Sequence, residues 1–213
     1  MKKILILYGG ISKERAISLE TGKQVEKELK KKYLTKLCEP KNLLLGIKSF
    51  KPDIIFNALH GQFGEDGYIQ TILEKFKIPY THSGPIASSI AMDKEISKKI
   101  FIKNKIQTPK YITYSYDISK FNLIKKIKKN LKFPVVVKPL NEGSSVNVYI
   151  CNQKNIFKIL NSIQNYKKII IEEFIGGREI QVAIMGNKKL GAIELKPKRK
   201  FYDYQAKYNS SAK

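Results

Sequence analysis

The feature that most constrains this chain is a short apolar run that stops at a glycine pair. Ile4-Leu5-Ile6-Leu7-Tyr8 is strand-sized, shows no polar alternation and meets Gly9-Gly10. A strand of that kind is buried on both faces, which places it inside a parallel sheet. From Ser18 to Lys32 the pattern changes to that of a helix, with Leu19, Val25 and Leu29 inward. Strand, tight turn and helix form the repeating unit of an α/β fold. The unit recurs: Asp53 to Leu59 reads as a strand, Gly67 to Phe76 as a helix and Pro79-Tyr80 as the start of a further strand. Ser83 is the expected N-cap of one helix running through Ile90 to about Ile102.

The chain turns at Thr108-Pro109, and a domain boundary is expected near residues 95–108. Beyond it come a segment Tyr111 to Tyr114, a Lys-rich helix to Asn130 and a strand from Phe133 to Lys138. A loop from Leu140 to Val146 leads to a strand ending at Cys151, a helix Asn155 to Ile163 and a strand Ile169 to Phe174. Arg178 to Met185 and Leu190 to Leu195 flank Gly186-Asn187 as a hairpin, and the polar, aromatic stretch from Lys196 reads as a loop.

Composition removes several function classes. No window approaches the ~18 uninterrupted apolar residues that a membrane-crossing helix needs, and Met1-Lys2-Lys3 leads into a strand rather than a full-length signal segment, so a cytoplasmic protein is expected. The formal net charge is +23, yet only Arg15, Arg178 and Arg199 are arginine and the lysines are scattered over nearly every helix. Phosphate and base readout favour clustered arginine, so no specific nucleic-acid site is expected. Cys38 and Cys151 stand far apart without metal-type neighbours and read as small hydrophobes.

Four segments carry chemistry. Gly9-Gly10-Ile11-Ser12-Lys13-Glu14-Arg15 joins a strand to a helix and can turn backbone N–H groups toward an anion, although taken alone, without the third glycine of a dinucleotide fingerprint, it reads first as a tight βα turn. His60-Gly61-Gln62-Phe63-Gly64-Glu65-Asp66-Gly67 crowds glycines around a histidine and two acids at a strand's C-terminal end, where ligand sites in open sheets gather. Lys138 ends a buried strand just before Asn141-Glu142-Gly143-Ser144-Ser145-Val146, pairing a cation with a small-residue loop suited to phosphates. Ile169-Ile170-Ile171-Glu172-Glu173-Phe174-Ile175 ends a strand in two acids that can accept from a nucleotide's amino group or ribose hydroxyls, and it is grouped with Phe201-Tyr202-Asp203-Tyr204-Gln205-Ala206-Lys207-Tyr208.

Together with Ala91-Met92-Asp93-Lys94, these motifs follow the order and spacing of one family, and the likeness extends from Ile4 to Lys213. The sequence resembles the D-alanine–D-alanine ligases of the ATP-grasp superfamily. That resemblance implies an α/β protein: a Rossmann-like parallel-sheet substrate domain over 1–95, an ATP-grasp nucleotide-binding subdomain over 96–177, and the start of a C-terminal catalytic subdomain over 178–213. It implies ATP, Mg²⁺ or Mn²⁺ and D-alanine as cofactors and substrates, a D-alanyl phosphate intermediate, a role in peptidoglycan precursor synthesis, and a homodimer.

By the same resemblance, Lys94 and Lys138 contact ATP phosphates under the loop of Glu142, Ser144 and Ser145. Glu172 holds the adenine together with Glu173, Phe174 and Ile175, Glu179 takes the ribose, and Tyr202 belongs to the ATP site. Glu14 anchors the ammonium of the first D-alanine and His60 lies beside its carboxylate. Ser144 and Tyr208 link to Glu14, and Lys207 adds charge near the γ-phosphate, so that Glu14, Ser144, Lys207 and Tyr208 form the catalytic set. Three positions depart from the family pattern: Asn147 stands at a usual glycine, Glu173 at a frequent lysine and His82 at a common glycine. The family's chain continues past the position of Lys213, and its metal ligands are expected there. The expectation is therefore an incomplete ligase, inactive alone; a non-catalytic nucleotide-binding remnant is the alternative.

Overall fold

The computed structural model describes residues 1–196, which fall into two compact units divided after Ile100. In the first, β1 (Lys3–Leu7) lies between β2 (Leu34–Cys38) and β3 (Ile54–Asn57), all parallel. The apolar run has this position because a central strand with a layer on each face has no solvent side. Its side chains divide by the strand period of 2. Leu5 and Leu7 enter a cluster with Leu43, Ile55, Ile69 and Leu73, whereas Ile4 and Ile6 join Ala58, Val25 and Leu29. Helix α1 (Arg15–Leu29) supplies the second group; α2 (Leu43–Phe50) and α3 (Tyr68–Phe76) supply the first. Gly22 lets α1 approach the strand end, since a Cβ there would stand 2.5 Å from Tyr8 Cβ.

Residues 33–52, to which the sequence pattern assigned no elements, form β2, a 3₁₀ turn at Pro40–Asn42 and α2. The strand start expected at Pro79-Tyr80 is a single parallel bridge from Ile55 to Tyr80. The helix expected from Ser83 to Ile102 is two helices, α4 (Pro85–Met92) and α5 (Lys94–Lys103). Asp93 separates them: its backbone is extended (φ −83°, ψ 108°), and its Oδ1 accepts from the amides of Glu95 and Ile96, both at 2.9 Å. That side chain satisfies two of the donors in the first turn of α5 that lack a partner within the helix, so a new helix starts at Asp93. The N-cap of α4 is Gly84, with Pro85 in the first turn, and Ser83 contributes its carbonyl to Ser88 Oγ instead.

The second unit is built on an antiparallel sheet in the order β4 (Tyr111–Ser115), β7 (Lys168–Glu173), β5 (Val135–Pro139), β6 (Tyr149–Cys151). Its two faces separate by residue parity. Ile112, Tyr114, Val135, Val137, Ile169 and Ile171 pack with Leu123 and Ile127 of α6 (Lys120–Asn130) and Ile156 and Leu160 of α7 (Ile156–Ser162). The alternate residues Val136, Lys138, Ile170 and Glu172 lie on the opposite face, with Lys138 in register with Ile170 and Val136 with Glu172. Ser119 caps α6 by accepting from Asn122 N. The expected hairpin is present as β8 (Glu179–Met185) and β9 (Lys188–Leu195), its turn eased by Gly186 at φ 57°.

Both cysteines are buried and unpaired, as small hydrophobes. Burial pushes the Cys151 thiol up to about 11 and raises that of Cys38, so neither offers a thiolate at neutral pH.

Candidate active site

In the first unit, the end of β1 and the loop after β3 converge on α1. Gly9 and Gly10 adopt φ 79° and 80°, a left-handed pair that only glycine holds without penalty. Three side chains at a spacing of three residues fasten this turn. Ser12 Oγ donates to the His60 carbonyl at 2.7 Å and accepts from Glu14 N at 3.1 Å. Arg15 Nη1 donates to the Gly10 carbonyl at 2.9 Å, and its guanidinium grips both oxygens of Glu39 at 2.7 and 2.9 Å. Ser18 Oγ, fully buried, accepts from Gly9 N at 2.8 Å and donates to the Ala58 carbonyl at 2.7 Å. The sequence reading did not assign these three roles; the signal was the Ser12, Arg15, Ser18 period on one side of a helix start.

The hydrogen bond from Arg15 is the main reason the Glu39 carboxyl lies below the usual carboxylate range. A depressed folded-state value means that the contact favours the fold above the ordinary carboxylate range and that this is lost as the pH falls through it. Ser18→Ala leaves Gly9 N and the Ala58 carbonyl without their buried partner and is expected to reduce stability by about 1–3 kcal/mol, read as a lower midpoint in urea with an unchanged slope.

These contacts bring Glu14 and His60 together. Glu14 is buried, and a Cβ on Gly61 would fall 2.6 Å from Glu14 Oε2, so the glycine next to His60 is what leaves room for the carboxylate. The His60 ring is oriented from both sides: Nε2 lies 3.2 Å from Thr21 Oγ1, and Nδ1 lies 3.8 Å from Glu65 Oε1. Glu65 Oε2 also accepts from Gly61 N at 2.8 Å. Asn57 Nδ2 and Gln70 Nε2 both donate to the Gly64 carbonyl at 2.8 Å and anchor the rest of the glycine loop to the core. Lys94 opens α5, directly after the Asp93 cap.

In the second unit, Lys138 Nζ meets Glu172 Oε2 at 2.7 Å across β5 and β7. Glu172 is buried and Lys138 partly so, which makes this a desolvated pair rather than a surface one. The loop that follows carries Glu142, Ser144 and Ser145, with Ser144 at φ 47° and Ser145 at φ 59°. Val146 N donates to the Gly143 carbonyl at 2.9 Å and closes a tight turn. Turns of this kind form the concave backbone surfaces that anions occupy. Glu173 ends β7, followed by exposed Phe174 and Ile175, and Glu179 begins β8 as an exposed residue. Tyr202, Lys207 and Tyr208 lie outside the described residues.

Of the departures from the family pattern, Asn147 at φ 55° and His82 at φ 80° both occupy the left-handed backbone that glycine favours. Asn tolerates that region better than most residues.

A family model described as the D-ala D-ala ligase N-terminus matches residues 36–83, and one described as the D-ala D-ala ligase C-terminus matches residues 100–213. The D-alanine–D-alanine ligase of Pelagibacter ubique (strain HTCC1062) is 74% identical over 214 residues, covering 100% of this chain and 70% of that protein. The chain belongs to the D-alanine–D-alanine ligase family. The ligase of Wolbachia pipientis wMel is 44% identical over 210 residues, covering 96% of this chain and 65% of its own length. Among solved structures, the D-alanine–D-alanine ligase from Bacillus anthracis superposes with a TM-score of 0.82 at 34% identity, covering 97% of this chain and 68% of that one. The same enzyme complexed with ATP gives 0.80 at 31% identity, covering 97% and 69%. The chain thus spans about two thirds of the length of these relatives, and its ligase-family fold is the expected ATP-grasp architecture with a parallel-sheet unit at its N-terminal end.

Proposed function

We propose that this chain belongs to an ATP-dependent ligase that joins two D-alanines for peptidoglycan precursors. The observation that carries the reading is the buried Lys138–Glu172 pair on the sheet face opposite the core, directly before a Gly-Ser-Ser loop of left-handed residues. An ammonium fixed beside such a loop supplies what phosphoryl transfer asks of a protein: positioning and charge neutralisation.

In this reading a D-alanine carboxylate oxygen bonds to the γ-phosphorus of ATP while the bond to the β–γ bridging oxygen breaks and ADP leaves. The amine of a second D-alanine then attacks the acyl carbon, loses a proton and expels phosphate with the electron pair of the breaking C–O bond. Lys94 and Lys138 hold phosphates, and Glu142, Ser144 and Ser145 form the loop over them. Glu172, Glu173, Phe174 and Ile175 line the adenine, Glu179 takes the ribose and Tyr202 completes the nucleotide site. Glu14 binds the ammonium of the first D-alanine and His60 lies beside its carboxylate. Ser144, Lys207 and Tyr208 complete the catalytic set. Closing water out protects the acyl phosphate from hydrolysis.

Mg²⁺ enters as the counter-ion of ATP; among the described residues no group of three His, Cys, Asp or Glu comes together to seat a metal. The assignment of 1–95 to substrate, 96–177 to nucleotide and 178–213 to the catalytic subdomain belongs to the same reading. So do a cytoplasmic location and a homodimer, the latter to be read from sedimentation against the 24.5 kDa chain mass. No described helix is long and apolar enough to cross a membrane.

The test is D-alanine-dependent phosphate release from Mg-ATP, run on this chain and on the chain extended to the length of its relatives. Release in the extended form that requires D-alanine is the expected result. A folded extended protein that releases none overturns the ligase reading, and ADP binding without turnover would leave a nucleotide-binding remnant.

A further inference from the structure

Three residues bearing a Cβ, Ser144, Ser145 and Asn147, hold left-handed backbone within four positions of the loop after β5. That conformation crowds the Cβ against the following carbonyl, so other contacts must hold such a loop in place. Backbone bonds from Val146 N to the Gly143 carbonyl (2.9 Å) and from Val148 N to the Ser145 carbonyl (3.3 Å) close its two turns but do not tie its ends together.

The ends meet at one hydroxyl. Tyr166, in the connection between α7 and β7, donates its O–H to Glu142 Oε1 at the loop's entry (2.5 Å) and accepts from Asn147 Nδ2 at its exit (2.9 Å). Asn147 Oδ1 in turn accepts from the Tyr149 hydroxyl on β6 at 3.1 Å. The chain has one consistent polarity. A carboxylate only accepts, so the Tyr166 proton points at Glu142; the Tyr166 oxygen then takes the Asn147 amide hydrogen, and the amide oxygen is left for Tyr149. The Tyr166 and Tyr149 rings pack against the same cluster as Val135, Ile156 and Ile171, so the core fixes where the hydroxyls stand.

We propose that Tyr166 is a positioning residue whose hydroxyl clasps both ends of the Glu142–Asn147 loop and presets it for nucleotide phosphates, with Asn147 as the second half of the clasp. The proposal rests on the phosphate role given to the loop above. It also gives Asn147 a reason beyond tolerance of its φ: glycine would fit the backbone but carries no amide to link Tyr166 with Tyr149.

The test uses the full chain with Tyr166→Phe, Asn147→Gly, the double variant and Tyr149→Phe. Two readouts are taken: hydrogen exchange of the amides over 142–148, and the Kd of a methylanthraniloyl derivative of ADP. Tyr166→Phe is expected to speed exchange in this loop about tenfold, equivalent to about 1.4 kcal/mol of local opening, while β7 and α6 stay protected, and to weaken ADP-analogue binding by a similar factor. Asn147→Gly is expected to match it, and the double variant to add little, because both break one linked device. Tyr149→Phe gives a smaller change of the same sign and serves if Tyr166→Phe fails to fold.

Unchanged loop exchange, or slower exchange in Asn147→Gly because relief of the backbone dominates, overturns the clasp. Faster exchange with unaltered Kd overturns the positioning role. A parent chain that binds no ADP analogue overturns the nucleotide reading instead, and loop exchange still decides whether the clasp exists.

Discussion

Lys138→Met is expected to lower stability by about 3 kcal/mol and to weaken adenine-nucleotide binding at least tenfold. The stability loss arises because the partner, Glu172, keeps a buried carboxylate that loses its cation at 2.7 Å. Removing one member of a desolvated pair costs more than the pair's net worth, since the remaining charge was placed there for its partner. The affinity loss follows separately from the phosphate role proposed for the Lys138 ammonium. A second substitution separates the two effects. In Lys138→Met with Glu172→Met, most of the stability should return, as it does when buried pairs are replaced by apolar residues of similar size, while nucleotide binding stays weak. Chemical denaturation and titration with an ADP analogue read the two quantities. Recovery of both in the double variant would mean that Lys138 acts only through Glu172 and touches no phosphate.

Gly67→Ala is the other large effect. Gly67 caps α3 at φ 91°, where an L side chain is strained, and a Cβ there would meet the Pro85 carbonyl oxygen at 2.4 Å and its carbon at 3.2 Å. Those are backbone atoms at the start of α4, so no rotamer change relieves the clash. A loss of about 3 kcal/mol is expected, or a fall of roughly 10 °C in Tm for a chain of this size. Gly191→Ala is the control, because nothing lies within 4 Å of its added Cβ and its backbone is not left-handed. Circular dichroism melts of the two variants should differ by most of that interval. The glycine loop from Gly61 to Gly67 leaves room for Glu14 beside His60, so under the D-alanine role proposed for these two residues Gly67→Ala should also weaken D-alanine binding.

Most strands and helices were legible because their side chains report burial directly. Ile4 to Leu7 reads as a central strand without any knowledge of the fold, and Ile169 to Glu172 reads as one whose polar end faces something other than the core. The breaks were less legible. Asp93 ends one helix and caps the next, and nothing in the run from Ser83 to Ile102 distinguishes that from an exposed acid on a continuous helix. Residues 33–52 carry no readable pattern because β2 is a half-exposed edge strand and α2, at 8 residues, makes only a little over two turns, too few for periodicity to register. Within the site, the motif residues Glu14, His60, Lys138 and Glu172 stand out by type and setting. The residues that fasten the surrounding loops do not, since Ser12, Ser18, Thr21 and Tyr166 act through partners 48, 40, 39 and 24 positions away, respectively.

The sequence by itself determined the fold class, the ligase-family motifs in their order, and which strand of the first unit lies innermost. Those follow from local periodicity and from residue types that have few other uses. Only the tertiary structure decided that Arg15 closes the glycine turn onto Glu39, that Lys138 and Glu172 face each other on the side of the sheet away from its helices, and that one tyrosine hydroxyl joins the two ends of the loop after β5. The reason is range: periodicity records what each residue does with solvent, whereas a hydrogen bond between distant segments depends on a register that exists only after the sheets have formed.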